Sequence, residues 1–237
     1  MLKEEDDMKK SMVILCAMLI GFGLSSVANA TLWDRGSGLI YDDVLDITWL
    51  QDANYAQTSG YDGDGWMTWA DAVSWADTLS YYDSVRGVAW DDWRLPTTVD
   101  GPWVHGYDGT TTAGFNIISS EMGYMFYENL ENLGYRATDG TFPQTGWGLN
   151  NTSLFTNLQP YNYWSGTEYT AYPPGFAWFF SFCLGSQNFD YNDFYGLCAW
   201  AVRPGDVSTP VPEPATMLLL GSGLLGLMGF RRKFRKV

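Results

Sequence analysis

Asp62-Gly63-Asp64-Gly65 and Asp190-Tyr191-Asn192-Asp193 gather carboxylate and amide oxygens on segments rich in glycine or polar residues. Clustered oxygens on flexible loops are what a hard cation such as calcium takes up. Neither stretch is an EF-hand, because the sixth position counted from Asp62 is Met67 rather than Gly and the twelfth is Val73 rather than Glu. Ordinary solvated turns also have this composition; where a cofactor binds, calcium is the expectation, with Asp62, Asp64, Asp190, Asn192 and Asp193 as its candidate ligands. A second group of residues suits carbohydrate. Trp66, Trp103 and Trp147 lie close to Gly in loop-like segments, with Tyr107 and Tyr161 near by, and an exposed ring offers a flat apolar face with a polar edge. Trp66, Trp103, Tyr107 and Trp147 are the candidate ligand-binding residues.

Nucleophilic and acid–base chemistry finds weaker footing. His105 is the single histidine and lies in Gly101-Pro102-Trp103-Val104-His105-Gly106-Tyr107-Asp108-Gly109, with no nucleophile elbow beside it. Carboxylates are so numerous that two of them fall roughly 5 to 9 Å apart by chance, so no glycosidase pair is assigned. No catalytic residue is named. Cys183 and Cys198 are the cysteines left once the leader is set aside, and in an oxidising compartment they are expected to form a disulfide. A loop of this length would contribute ~3 kcal/mol when closed.

Charge sorts the possible surroundings. The chain has 237 residues and a net charge of −14. Three Lys and four acids fall in residues 1–30, and five basic residues and one acid fall in 211–237, so residues 31–210 keep five Arg and 22 acids, a net of −17. Such a body repels phosphate backbones, which excludes nucleic acid as a partner. With so few Arg, each guanidinium, Arg94 and Arg203 included, is expected to pair with a carboxylate.

Both ends read as addresses. Lys9 and Lys10 precede an apolar run from Met12 to Leu24, and Ala28-Asn29-Ala30 supplies small residues at a cleavage position, the pattern of a signal peptide over residues 1–30 that signal peptidase removes. At the other end Met217 to Phe230 is 14 apolar residues followed by Arg231, Arg232, Lys233, Arg235 and Lys236. As a helix this run reaches about 21 Å, short of a ~30 Å hydrocarbon core, and the basic cluster holds the far end in the cytoplasm. Ser208, Thr209 and Pro210 make a linker.

Between the addresses one domain is expected over residues 31–206. Thr68 and Asp71 predict a capped helix whose apolar stripe is Trp69, Ala72, Val73, Ala76 and Leu79. A second helix is predicted over Ser120 to Leu133, weakened by Gly123. Strands are predicted at Leu39–Tyr41, Ile47–Leu50, Tyr163–Gly166, Ala177–Cys183 and Cys198–Arg203. In Trp93-Arg94-Leu95-Pro96-Thr97 the proline keeps Leu95 extended, turning Arg94 away from Trp93 and Leu95. The sum is an α+β fold with two helices, a small antiparallel sheet and long loops.

Two resemblances follow from these residues. Val211-Pro212-Glu213-Pro214, the apolar helix and the arginine-rich tail with Arg231 and Arg232 resemble a PEP-CTERM sorting signal over residues 207–237 with its linker. This implies a bacterial protein processed by an exosortase, held transiently at the membrane by its C-terminal helix and delivered to the cell envelope, cell surface or extracellular matrix. Leu39-Ile40-Tyr41-Asp42 with Leu45 to Leu50, Thr68 to Ala72, Trp93 to Thr97, Tyr163 to Thr167, Ala177 to Phe182 and Val202-Arg203-Pro204 occur in the order of the Lcl C-terminal domain family. That family is similar to C-type lectin-like and sulfatase-modifying-factor domains, which implies a C-type lectin-like domain here. Asn192-Asp193 before Cys198 also resembles the Trp-Asn-Asp triplet of calcium-dependent lectins, with Tyr191 in the Trp position. The expectation is an exported, non-catalytic envelope or matrix protein that binds polysaccharide; the alternative is an extracellular carbohydrate-active enzyme or an oxidase related to the sulfatase modifiers.

Overall fold

Three segments, Leu39–Asp42, Ile47–Leu50 and Val202–Pro204, lie side by side in the first sheet. The computed structural model describes residues 31–171 and 175–207. The expected leader with Ala28 and Ala30, and the tail with Pro212, Glu213, Pro214, Arg231 and Arg232, lie outside the described residues. Strands β1 (Leu32–Asp34), β2 (Leu39–Asp42) and β3 (Ile47–Leu50) form an antiparallel meander that β11 (Val202–Pro204) completes in the order β1-β2-β3-β11. Leu39, Ile40, Trp49 and Leu50 are buried along it. The β2–β3 turn is held by Asp42, whose Oδ1 accepts the amides of Val44 (3.1 Å) and Leu45 (3.0 Å). Burial raises the pKa of this carboxyl, and those two amides with Asn129 Nδ2 work against the rise.

A hairpin of β4 (Tyr81–Asp83) and β5 (Val88–Trp90) follows. The second sheet holds β6 (His105–Gly106), β7 (Ala113–Phe115), β8 (Asn162–Glu168), β9 (Phe176–Ser181) and β10 (Ser186–Tyr191) in the order β6-β7-β10-β9-β8. It is antiparallel except where β6 runs parallel to β7. The segment 197–202 joins the two sheets, bridging Met67 at Leu197, Tyr163 at Cys198 and Arg94 at Val202. Trp200 thereby reaches the middle of the core, 4.5 Å from Trp49 and 4.7 Å from Phe155 between ring centroids, with its Nε1 donating to Leu50 O at 2.7 Å. A buried indole needs that acceptor, because an unpaired N–H in the core costs about 1–3 kcal/mol.

Helices are few, as an α+β reading requires. A short turn of helix, α1 (Tyr55–Thr58), precedes α2 (Trp69–Thr78). Thr68 caps α2 as expected, accepting Asp71 N at 3.2 Å while its hydroxyl donates to the Asp71 carboxylate at 2.6 Å. The fully buried face is Ala72, Trp75 and Ala76, with Trp69, Val73 and Leu79 only half-buried beside it. The second expected helix is shorter than Ser120–Leu133. It comprises α3 (Glu121–Tyr124) and a π-helical turn over Met125–Asn129. Gly123 is required there: a Cβ would fall 2.1 Å from Ile117 O.

The expected Cys183–Cys198 disulfide is corrected by the fold, in which both cysteines are free. Cys198 lies on one side of β8, its N donating to Asn162 O and its O accepting from Trp164 N, each at 2.9 Å. Cys183 follows β9 on the other side, where Ser181 pairs with Asn162. Two strand spacings of about 4.8 Å separate such positions, more than the ~7 Å that a bridge spans. The strand expected over Cys198–Arg203 is likewise confined to Val202–Pro204, with Cys198 in an isolated bridge.

Candidate functional site

Trp103, His105 and Tyr107 follow one another along the edge of the second sheet, His105 in β6, Trp103 two residues before it and Tyr107 at the bend that ends it. Backbone and side-chain bonds fix that edge. Trp103 N donates to Tyr169 Oη (3.2 Å), Val104 N to Thr112 Oγ1 (3.0 Å), and Trp103 Nε1 to Asn188 Oδ1 (3.1 Å). The Trp103 and His105 rings lie 5.8 Å apart, and His105 meets Phe115 edge-on at 6.0 Å. At Gly114 φ is +106° and a Cβ would lie 1.9 Å from Gly106 O. Only glycine lets β6 approach β7 so closely.

Beyond Tyr107 the aromatic surface continues on a different loop. Asn116 Nδ2 donates to both Tyr107 O (2.7 Å) and Arg136 O (3.0 Å), tying the two segments together. Arg136 Cζ lies 5.6 Å from the Tyr107 ring centroid and 4.1 Å from that of Phe142, a double cation–π contact. Tyr135 then stands 6.2 Å from Phe142 and 4.9 Å, edge-on, from Trp147. Trp103 (47% exposed), Tyr107 (42%), Phe142 (55%) and Trp147 (37%) all present ring surface to solvent. Three of the four residues picked from the sequence thus fall on one strip; Arg136, Phe142 and Tyr135 belong to it and were missed.

Trp66, the fourth, lies elsewhere, its ring parallel to that of Tyr161 (5.1 Å, 5°). The oxygen-rich loops sit side by side, joined by the Met67–Leu197 bridge, by Trp69 N to Asn192 O (2.9 Å) and by Tyr195 Oη to Asp64 Oδ1 (3.2 Å). Asp190 Oδ1 accepts its neighbour's amide, Tyr191 N, at 2.8 Å. Asn192 enters the fold through its backbone, and Asp193 is exposed. Among the described residues no group of three or more His, Cys, Asp or Glu is placed to hold a metal ion.

Most of the acidic groups with shifted pKa serve local structure. A hydroxyl and amide from Thr110 hold Asp108 below its ordinary value, and the Thr141 amide does the same for Asp139. At Asp83 and Asp100 burial pushes upward but is outweighed by hydrogen bonds, from Arg86 and Trp90 in one case and Thr170 and Trp178 in the other. Four guanidiniums meet carboxylates as expected: Arg35 with Asp206, Arg86 with Asp83, Arg94 with Glu121 and Arg203 with Asp92. Among the described residues Arg136 alone of the five Arg has rings and a carbonyl, Gly140 O at 3.3 Å, in place of a carboxylate. Burial pushes the Cys198 thiol up to about 12, with the Tyr163 hydroxyl beside it, so it is not a thiolate nucleophile near neutral pH.

Among known families, residues 210–233 match the PEP-CTERM protein-sorting motif. No curated protein matches the chain, and no solved structure does. The motif marks an exported protein that an exosortase sorts. Among the described residues no helix is long and apolar enough to cross a membrane, and the expected C-terminal helix falls outside them.

Proposed function

We propose that residues 31–206 form a non-catalytic module that binds polysaccharide in the cell envelope or extracellular matrix. The observation that carries this reading is the run of contacts from Tyr107 through Arg136, Phe142 and Tyr135 to Trp147, with the Trp103–His105 pair on the same sheet edge just before Tyr107. Monomeric domains seldom leave so many large rings uncovered without a use for them. Indole and phenol faces stack on the C–H faces of pyranose rings, while their N–H and O–H edges and the surrounding Asn and Thr groups serve sugar hydroxyls. A body of net charge −17 favours a neutral chain over a polyanion. The resemblance to the Lcl C-terminal domain and its C-type lectin-like relatives belongs to the same reading. So does the route outward, in which signal peptidase cuts after Ala30 and the C-terminal helix holds the chain at the membrane until the exosortase acts.

Co-sedimentation of the full chain with extracellular polysaccharide from the producing cells tests this. The wild type is expected to pellet with the polymer, and the Trp103→Ala/Tyr107→Ala/Trp147→Ala variant to stay in the supernatant with unchanged circular dichroism. Equal pelleting of the two proteins, or none by either, would refute the assignment.

A further inference from the structure

We propose that the loop between α1 and α2 is a calcium site in which Asn54 joins Asp62 and Asp64 as a protein ligand. The two carboxylates are arranged for it. Asp64 N (3.0 Å) and Gly65 N (2.6 Å) donate to Asp62, and Trp66 N (3.0 Å) and Tyr195 Oη (3.2 Å) donate to Asp64; all four bonds fall on Oδ1. Among the described residues neither carboxylate pairs with a guanidinium, since the four ion-paired Arg are engaged at other carboxylates. Two like charges held together without a protein cation invite one from solution.

The independent observation is Asn54. Its side chain is buried, with the residue 6% exposed, and its Nδ2 donates to Gln57 Oε1 at 2.7 Å, yet its Oδ1 has no partner. That oxygen is turned towards the acidic loop: a Cβ on Gly65 would lie 2.4 Å from it. A buried carbonyl oxygen left unpaired is unfavourable, and a cation bound in the loop would satisfy it. Gly65, at φ +80°, has the Asn54 amide packed where a Cβ would stand, so only glycine lets that oxygen come so close to the loop. Loop carbonyls and water would complete the six to eight oxygens calcium takes, and a site with two carboxylates on an extracellular module has a Kd on the order of 10⁻⁴–10⁻³ M. Asp190 belongs to β10 rather than to this loop and is not part of the site.

Titration of the full chain with CaCl2 by isothermal calorimetry tests the site independently of polysaccharide binding. One site is expected, with Asp64→Asn and Asn54→Ala each weakening it at least about tenfold and Asp190→Asn leaving it unchanged. Because Asn54 is buried, near-UV circular dichroism must show that Asn54→Ala keeps the native signature; if it does not, the exposed Asp64→Asn variant decides alone. No binding up to about 10 mM CaCl2, well above the expected Kd, would overturn the proposal. So would undiminished binding by Asp64→Asn, or its loss in Asp190→Asn.

Discussion

Replacing Glu121 by Gln should unfasten the loop that starts at Pro96. The Glu121 carboxylate accepts three bonds of 2.7 Å, from Arg94 Nη1, Arg94 Nη2 and Thr97 N. Gln keeps one acceptor oxygen and turns an NH2 towards groups that are themselves donors. Exposed pairs contribute 0–1 kcal/mol and buried ones lose about 3–5 kcal/mol when one partner goes. The side chains of Arg94 and Glu121 are 34% and 15% exposed, so an intermediate loss of about 2–3 kcal/mol is expected. For a domain of this size about 2–4 °C accompany each kcal/mol, giving a drop in Tm of about 4–12 °C. Thermal unfolding followed by circular dichroism, in a double-mutant cycle with Arg94→Gln, measures the coupling directly. A fall of less than about 1 °C, or full additivity of the two single variants, would refute the structural role given to this pair.

Alkylation of the folded, unreduced protein at pH 8 should label Cys183, while Cys198, buried and pushed up to about 12, reacts only after denaturation; a mass lower by two hydrogens would show a disulfide instead. Gly114→Ala should push β6 off β7, destabilising by at least about 2 kcal/mol and weakening polysaccharide binding, and a variant with native Tm and binding would contradict the close approach at Gly106. Acid should loosen the fold. Asp83, Asp100, Asp108 and Asp139 sit below the ordinary value of 3.8, so the stability they contribute is complete above it and is lost as pH falls through their folded values. Asp42, raised by burial, acts in the opposite sense. Tm should therefore fall steeply below about pH 4, and a flat Tm down to about pH 3 would count against those hydrogen bonds.

Local signals carried most of the elements. The Thr68–Asp71 cap, the two strands Leu39–Asp42 and Ile47–Leu50, and the pairing of Arg94 with an acid all follow from neighbours in sequence or from charge scarcity. Long-range pairing was out of reach. Cys198 looked like part of a regular strand next to that of Cys183, but the segment 197–202 crosses to β8, β3 and Arg94 in turn, which no alternation of apolar residues encodes. The strip shows the same division. Trp103, Tyr107 and Trp147 were legible because Gly beside an aromatic residue signals an exposed loop, whereas the joining of their loops depends on Asn116 and on Arg136 between two rings. Trp75 was overlooked because a stripe drawn from Trp69 and Val73 is rotated from the face that packs into the core.

Hydroxyl-radical footprinting of the full chain with and without polysaccharide asks most directly where a sugar chain lies. Protection is expected at Trp103, Tyr107, Phe142 and Trp147, with Trp33 and Trp66 oxidised to the same extent in both samples. Protection confined to Trp66 and Tyr161, or no change at any ring when polymer is in excess, would contradict the placement of the binding surface on the edge of the second sheet.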